Sequence, residues 1–192
     1  MIFVVTGTQF PFDRLARTID QWCARHPEQE VLGQLGKHNH LTRLRGALSQ
    51  LSRSRPDKDG IGQVVKGTFQ PKNFAASDWY DPSDFQRIFK GATHIIAHAG
   101  MGSVLTARGC GIPIMIVPRL VALREHRSDH QVHTANALRG RPGIVVCADL
   151  ANFDQRMGEL LAMERGAATE NVAADSLLEA LKGFVELGEV PD

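Results

Sequence analysis

The residues best suited to chemistry lie in one stretch, His94-Ile-Ile-Ala-His98-Ala-Gly100-Met-Gly102-Ser103. An apolar run ends on an imidazole and passes directly into a glycine-rich turn, after which helix-forming residues begin. Glycines let a ligand approach the backbone closely, and the start of a helix offers unpaired N–H groups at the positive end of its dipole. A diphosphate suits such a site. Ser103 either caps the helix or gives its hydroxyl to a phosphate oxygen. His98 either donates to the same phosphates or is a satisfied core histidine. Gly-x-Gly after a strand is also what an ordinary βα turn looks like.

Other chemistries fit less well. His126, His130 and His133 lie close together, and the first two share a helical face, which is compatible with a metal. No His-Glu-x-x-His pattern and no neighbouring cysteine accompany them, so no metal is assigned. Ser103 sits in Gly-Met-Gly-Ser-Val rather than the Gly-x-Ser-x-Gly of a hydrolase elbow. The first strand runs into Gly7-Thr-Gln-Phe, not the Gly-x-Gly-x-x-Gly of a dinucleotide-binding domain. Asp13 and Arg14 either orient the first helix or face a ligand. His94, on the same side of its strand as His98, reads as structural.

Strand-like and helix-like segments alternate around these residues. Strands are expected at Ile2–Thr6, Glu30–Leu35, Thr93–His98, Ile114–Val117 and Ile144–Cys147. Helices are expected at Phe12–Arg25, Ser83–Lys90 (with Ser83 as cap), Met101–Arg108, Asp129–Leu138, Phe153–Met163 and Asp175–Val185. This pitch is that of βαβ units, and covering both sheet faces makes the class α/β, a doubly wound, mostly parallel, Rossmann-like sheet. A length of 192 residues allows one such domain, spanning 1–192.

A formal net charge of +1 gives no global attraction to nucleic acid. Cys23, Cys110 and Cys147 are widely spaced, which reads as reduced thiols in a cytoplasmic protein. No run reaches bilayer-spanning length, and the opening Met1-Ile-Phe-Val-Val lacks a basic signal-peptide region. One stretch, about 37–66, breaks the rhythm with Lys37, Arg43, Arg45, Arg53, Arg55, Lys58 and Lys66. Leu41, Leu44, Leu48 and Leu51 share a helical face there. It is either a surface helix with a following loop or a basic amphipathic patch facing anionic lipid or an acidic partner.

Taken together, His98-Ala-Gly-Met-Gly-Ser103, Gly111-Ile-Pro113-Ile-Met-Ile-Val-Pro118 and Glu125-His-Arg-Ser-Asp129-His130-Gln131 resemble the donor-binding half of GT-B glycosyltransferases. The likeness is to the family 28 C-terminal domain. The nearest members in pattern are bacterial exopolysaccharide glycosyltransferase subunits and the catalytic subunit of the split dolichol-linked N-acetylglucosaminyltransferase. The opening Phe3-Val-Val-Thr6-Gly7-Thr8-Gln9-Phe-Pro-Phe12-Asp13-Arg14 resembles the exopolysaccharide group as well. The resemblance covers roughly residues 1–35 and 64–165, with the basic stretch as an insertion.

The resemblance implies a set of roles. Gly7 and Thr8 approach the donor diphosphate, as do His98, Gly100, Gly102 and Ser103. His130 and Gln131 contact the donor sugar. The family's ribose-binding glutamate is replaced here by Thr106. UDP-sugar is then substrate, with no cofactor, and transfer inverts the anomeric carbon with charge on the leaving diphosphate held without a metal. Inversion needs a base to deprotonate the acceptor, and none is apparent in this chain. A GT-B enzyme has a second, acceptor-binding half. The resemblance therefore implies a membrane-anchored partner subunit presenting a polyprenyl-diphosphate-linked saccharide at the inner face of the membrane. A non-catalytic nucleotide-binding or regulatory module is the alternative.

Overall fold

Runs such as Ile2–Val5 and Ile114–Val117 are apolar at every position, so they suit strands covered on both faces. The computed structural model describes residues 1–7, 10–36 and 69–167. Its strands are β1 (Ile2–Val5), β2 (Val31–Gln34), β3 (Ala75–Ser77), β4 (His94–His98), β5 (Ile114–Val117) and β6 (Ile144–Val146). They form one sheet in the order β3-β2-β1-β4-β5-β6, with every neighbouring pair parallel. The α-helices among the described residues are α1 (Asp13–Arg25), α2 (Pro82–Gly91), α3 (Met101–Gly109), α4 (His130–Leu138) and α5 (Phe153–Leu161). The expected Rossmann-like, doubly wound α/β class is what the chain adopts.

Strand side chains alternate between faces, and the core divides accordingly. Ile2, Val4, Ile96, Met115 and Val117 pack with Leu15, Ile19 and Trp22 of α1 and Phe153, Met157 and Leu160 of α5. Phe3, Val5, Ile95, Ala97, Ile114 and Ile116 pack with Phe89 of α2, Val104 and Ala107 of α3 and Ala135 of α4. At about 25 cal/mol per Å² of apolar area, these two layers supply the main drive to fold.

Two local expectations differ from the structure. Helix α2 starts at Pro82 with Asp81 as its N-terminal flank, not with Ser83 as cap. Proline is pre-set for the first helical position and lacks only an N–H that would have no helical partner there. The edge strand β3, Ala75-Ala-Ser77, is not apparent in the sequence, because it has no β-branched or aromatic residue and pairs with β2 over only three positions. The basic stretch 37–66 and the expected helix 175–185 lie outside the described residues.

Buried polar groups set the chain's entries and exits. The Asp20 carboxylate accepts the Lys72 and Asn73 backbone N–H groups, both at 2.7 Å, and so fixes the approach to β3. After α5 the chain returns beneath the amino ends of the strands, where the His94 Nε2 bonds the Met163 carbonyl at 3.1 Å. His94 is thus structural. Asp13 and Arg14 are committed to the fold too. Asp13 accepts the Phe69 N–H at 3.3 Å, and Arg14 makes a two-pronged pair with Glu125 at 2.7 and 2.9 Å. The three cysteines are free thiols. Burial pushes those of Cys23 and Cys147 up to about 11, which leaves them protonated and unreactive.

Candidate functional site

In open α/β sheets ligands bind beyond the carboxyl ends of the strands, where the strand order reverses. Here that point lies between β1 and β4, which run side by side with Val5 opposite Ala97. The turn at Gly7 and the turn from His98 to Gly102 therefore leave the sheet at the same end. Gly7 has φ +83°, a conformation glycine adopts without steric cost.

His98 sits between these two turns. Its Nδ1 lies 3.4 Å from the Val5 carbonyl. A Cβ on Gly7 would stand 3.0 Å from its Cε1, and one on Gly100 only 2.3 Å from its Nε2. The imidazole thus excludes a side chain at Gly100 and crowds one at Gly7, where the positive φ also favours glycine. Burial, then the charge of Arg119, pushes its pKa down to about 4; the Val5 carbonyl opposes this, and His126 and His130 add smaller lowering effects. His98 is neutral at pH 7. With Nδ1–H directed at Val5, Nε2 carries the lone pair, so donation to a phosphate requires the ring to gain a proton. An incoming anion favours that gain.

Gly102 differs from the other two glycines, since a Cβ there would meet nothing within 4 Å. It is the second residue of the nine-residue helix α3, flanked by Gly100 with no side-chain cap. Ser103 therefore does not cap the helix. It occupies the first turn, half-buried, beside the N–H groups of Met101 and Gly102. Thr106 is exposed and donates its hydroxyl to the Gly102 carbonyl at 2.8 Å, so its oxygen offers lone pairs outward. Thr8 lies outside the described residues.

The segment after β5 carries the remaining groups, and its main residue escaped the sequence reading. Arg119 is 2% exposed. Its guanidinium donates to the carbonyls of Thr6, Phe10 and Pro11 and lies 4.6 Å over the Phe12 ring. Burial lowers its pKa to about 10, partly offset by Glu125, so it stays charged at neutral pH. An isolated arginine after an apolar strand gives no local signal for this role, because its partners lie more than a hundred positions away.

Gln131 and His130 open α4 and have different surroundings. Gln131 is 3% exposed, and its Oε1 accepts the Arg119 backbone N–H at 3.1 Å. It braces the segment after β5. His130 is exposed, bonds the Ser128 hydroxyl through Nδ1 at 2.7 Å and meets the His126 ring edge to face at 4.5 Å. His126 in turn packs against Phe10, and burial with His130 and Arg119 lowers its pKa. Among the described residues no three His, Cys, Asp or Glu side chains converge as a metal set. The Arg119 charge acts on both His98 and His126, so a fixed positive charge lies behind this end of the sheet.

The same architecture occurs in known structures. ALG13, solved by NMR in solution, superposes with a TM-score of 0.54 at 18% identity, over 92% of this chain and 94% of that one. The crystal structure of the glycotransferase of kitacinnamycin superposes with a TM-score of 0.51 at 16% identity, over 93% of this chain but 37% of that one. No family model and no curated protein matches the sequence. The chain shares with these structures a Rossmann-like α/β fold.

Proposed function

We propose that this chain is the donor-binding catalytic subunit of an inverting UDP-sugar glycosyltransferase. Its acceptor is a polyprenyl-diphosphate-linked saccharide in cell-surface or exopolysaccharide synthesis. One observation carries the reading: the Gly7 turn, His98 and the uncapped first turn of α3 meet at the switch point of the sheet. The donor's diphosphate would lie against the N–H groups of Met101, Gly102 and Ser103, with the Ser103 hydroxyl as a further donor. Preorganised dipoles of this kind stabilise charge as it builds on the leaving diphosphate. His98 would accept a proton as that charge arrives. Thr106 would accept from a ribose hydroxyl, and His130 lies where the sugar would follow.

The base and the acceptor site belong to a partner in this reading, a membrane-anchored subunit that brings the chain to the inner face of the membrane. Among the described residues no helix is long and apolar enough to cross a bilayer. Exposed apolar side chains support a protein partner over the site. Trp79 follows β3, Met101 follows β4, and Val121 and Leu123 follow β5, all beyond the carboxyl ends of parallel strands. Calorimetric titration with UDP, UDP-sugars and other nucleotides tests the donor half of the proposal. Transfer assays with and without membranes containing the partner test the rest. Absence of UDP binding at millimolar concentration would remove the donor role, and full transfer by the isolated chain would remove the partner.

A further inference from the structure

Around the turn after β1, the carbonyls of three described residues have a shared destination. Those of Thr6, Phe10 and Pro11 all turn toward the Arg119 guanidinium. In a trans peptide the N–H points opposite to the C=O. Drawing the Thr6 carbonyl toward Arg119 therefore aims the Gly7 N–H away from it, at the start of the turn that meets His98. We infer that Arg119 is a positioning residue for the donor diphosphate, holding the turn after β1 so that the Gly7 amide faces the ligand with a fixed positive charge behind it.

The surroundings of Arg119 favour this over an ordinary ion pair. The Glu125 carboxylate is committed to Arg14 and to the Leu120 N–H at 3.0 Å, and Arg119 reaches only the Glu125 backbone carbonyl, at 3.4 Å. Its charge is thus satisfied by neutral carbonyls and the Phe12 face, and the field it projects toward His98 is not cancelled by a directly bonded carboxylate. That field is felt at His98, where Arg119 is the largest charge contribution to the depressed basicity. The Gln131 amide and the Arg119 backbone N–H lock the other end of the clasp.

This inference rests on the diphosphate reading, and its test separates the two. The full-length protein and its Arg119→Lys variant are compared for UDP affinity by calorimetry and for amide hydrogen exchange by NMR. Lysine keeps the charge but lacks the planar fork that reaches several carbonyls at once. The expected result is UDP binding weakened tenfold or more, with faster exchange at Thr6, whose N–H bonds the Gln34 carbonyl at 3.0 Å, and unchanged exchange in β4 and β5. Asp20→Asn, which loosens a buried carboxylate site elsewhere, should lower the melting temperature without altering UDP affinity. If Arg119→Lys binds UDP as the parent does, or loses affinity with Thr6 exchange unchanged, the positioning role is overturned. If the parent protein itself ignores UDP, the donor reading falls first and this role with it.

Discussion

The His98 imidazole occupies the space a side chain at Gly100 would need, with Nε2 only 2.3 Å from the Cβ position. Gly100 is therefore a glycine for the histidine's sake, whatever ligand binds. Gly100→Ala should destabilise the fold by about 1–3 kcal/mol, the usual cost of overpacking. Part of the loss should return in the Gly100→Ala, His98→Ala double variant, because the clash is removed. Urea unfolding of the parent, Gly100→Ala, His98→Ala and the double variant measures this coupling. Strict additivity would show that the two residues do not compete for space.

Gly102 makes the opposite case, since nothing lies near its Cβ position. Alanine in a helix is favoured over glycine by roughly 0.5–1 kcal/mol, so Gly102→Ala should fold at least as stably as the parent. If the diphosphate lies against this turn, the new methyl group should still weaken UDP binding. Unchanged UDP affinity in a fully folded Gly102→Ala protein would move the phosphate away from α3.

Acid should weaken the fold through His98. Its folded-state pKa is lowered from 6.5 to about 4, chiefly by burial, so between these values the unfolded chain holds a proton that the folded chain lacks. Stability contributed by the neutral ring is complete above pH 6.5 and declines as pH falls toward 4, by up to about 3 kcal/mol from this group. His98→Asn should flatten that part of the stability profile. An anion at the site reverses the preference of the ring, so UDP binding should take up protons near pH 6. Calorimetry in buffers of different ionisation enthalpy reads that uptake, and a binding heat independent of buffer would exclude it.

The sheet was legible because its strands are apolar runs bounded by glycine and polar residues, and helices α1 and α2 carry a clear apolar periodicity. Ile2–Val5, Ile95–Ala97 and Ile114–Val117 needed no tertiary information. The short edge strand Ala75–Ser77 was hidden because its pairing with β2, not its composition, makes it a strand. At the site, the pattern of His98 and its glycines showed in the sequence, but not why two of those glycines are needed. Arg119 and the buried state of Gln131 were invisible for a different reason. Their partners are contributed by the turn after β1 and by each other, a relationship that exists only once β1, β4 and β5 lie side by side.

Gln131 should behave as a brace at least as much as a ligand group. Its Oε1 is held by the Arg119 backbone N–H in a buried site, and Gln131→Ala leaves that N–H without its acceptor. The expected cost is about 1–3 kcal/mol of stability, read by thermal or urea unfolding. The affinity for UDP should fall alongside it through Arg119. Unaltered stability, with loss confined to UDP-sugar relative to UDP, would return Gln131 to a direct sugar contact.

Thr106 offers the sharpest test of where the nucleoside lies. Its hydroxyl proton is directed at the Gly102 carbonyl 2.8 Å away, so toward a ligand the oxygen acts as an acceptor, the role a carboxylate would play. The residue is exposed on α3, and replacements should change stability by no more than about 0.5 kcal/mol, as at most surface positions. Thr106→Val keeps the β-branch and removes the acceptor. It should weaken UDP by about 0.5–1.5 kcal/mol, the net worth of a hydrogen bond, while leaving 2′-deoxy- and 3′-deoxy-UDP unequally affected. The analogue that lacks the bonded hydroxyl should bind parent and variant alike. Thr106→Glu restores a two-oxygen acceptor and should tighten UDP beyond the parent, provided the ribose lies beside α3. If both variants bind all three nucleotides as the parent does, the ribose is held by another part of the chain.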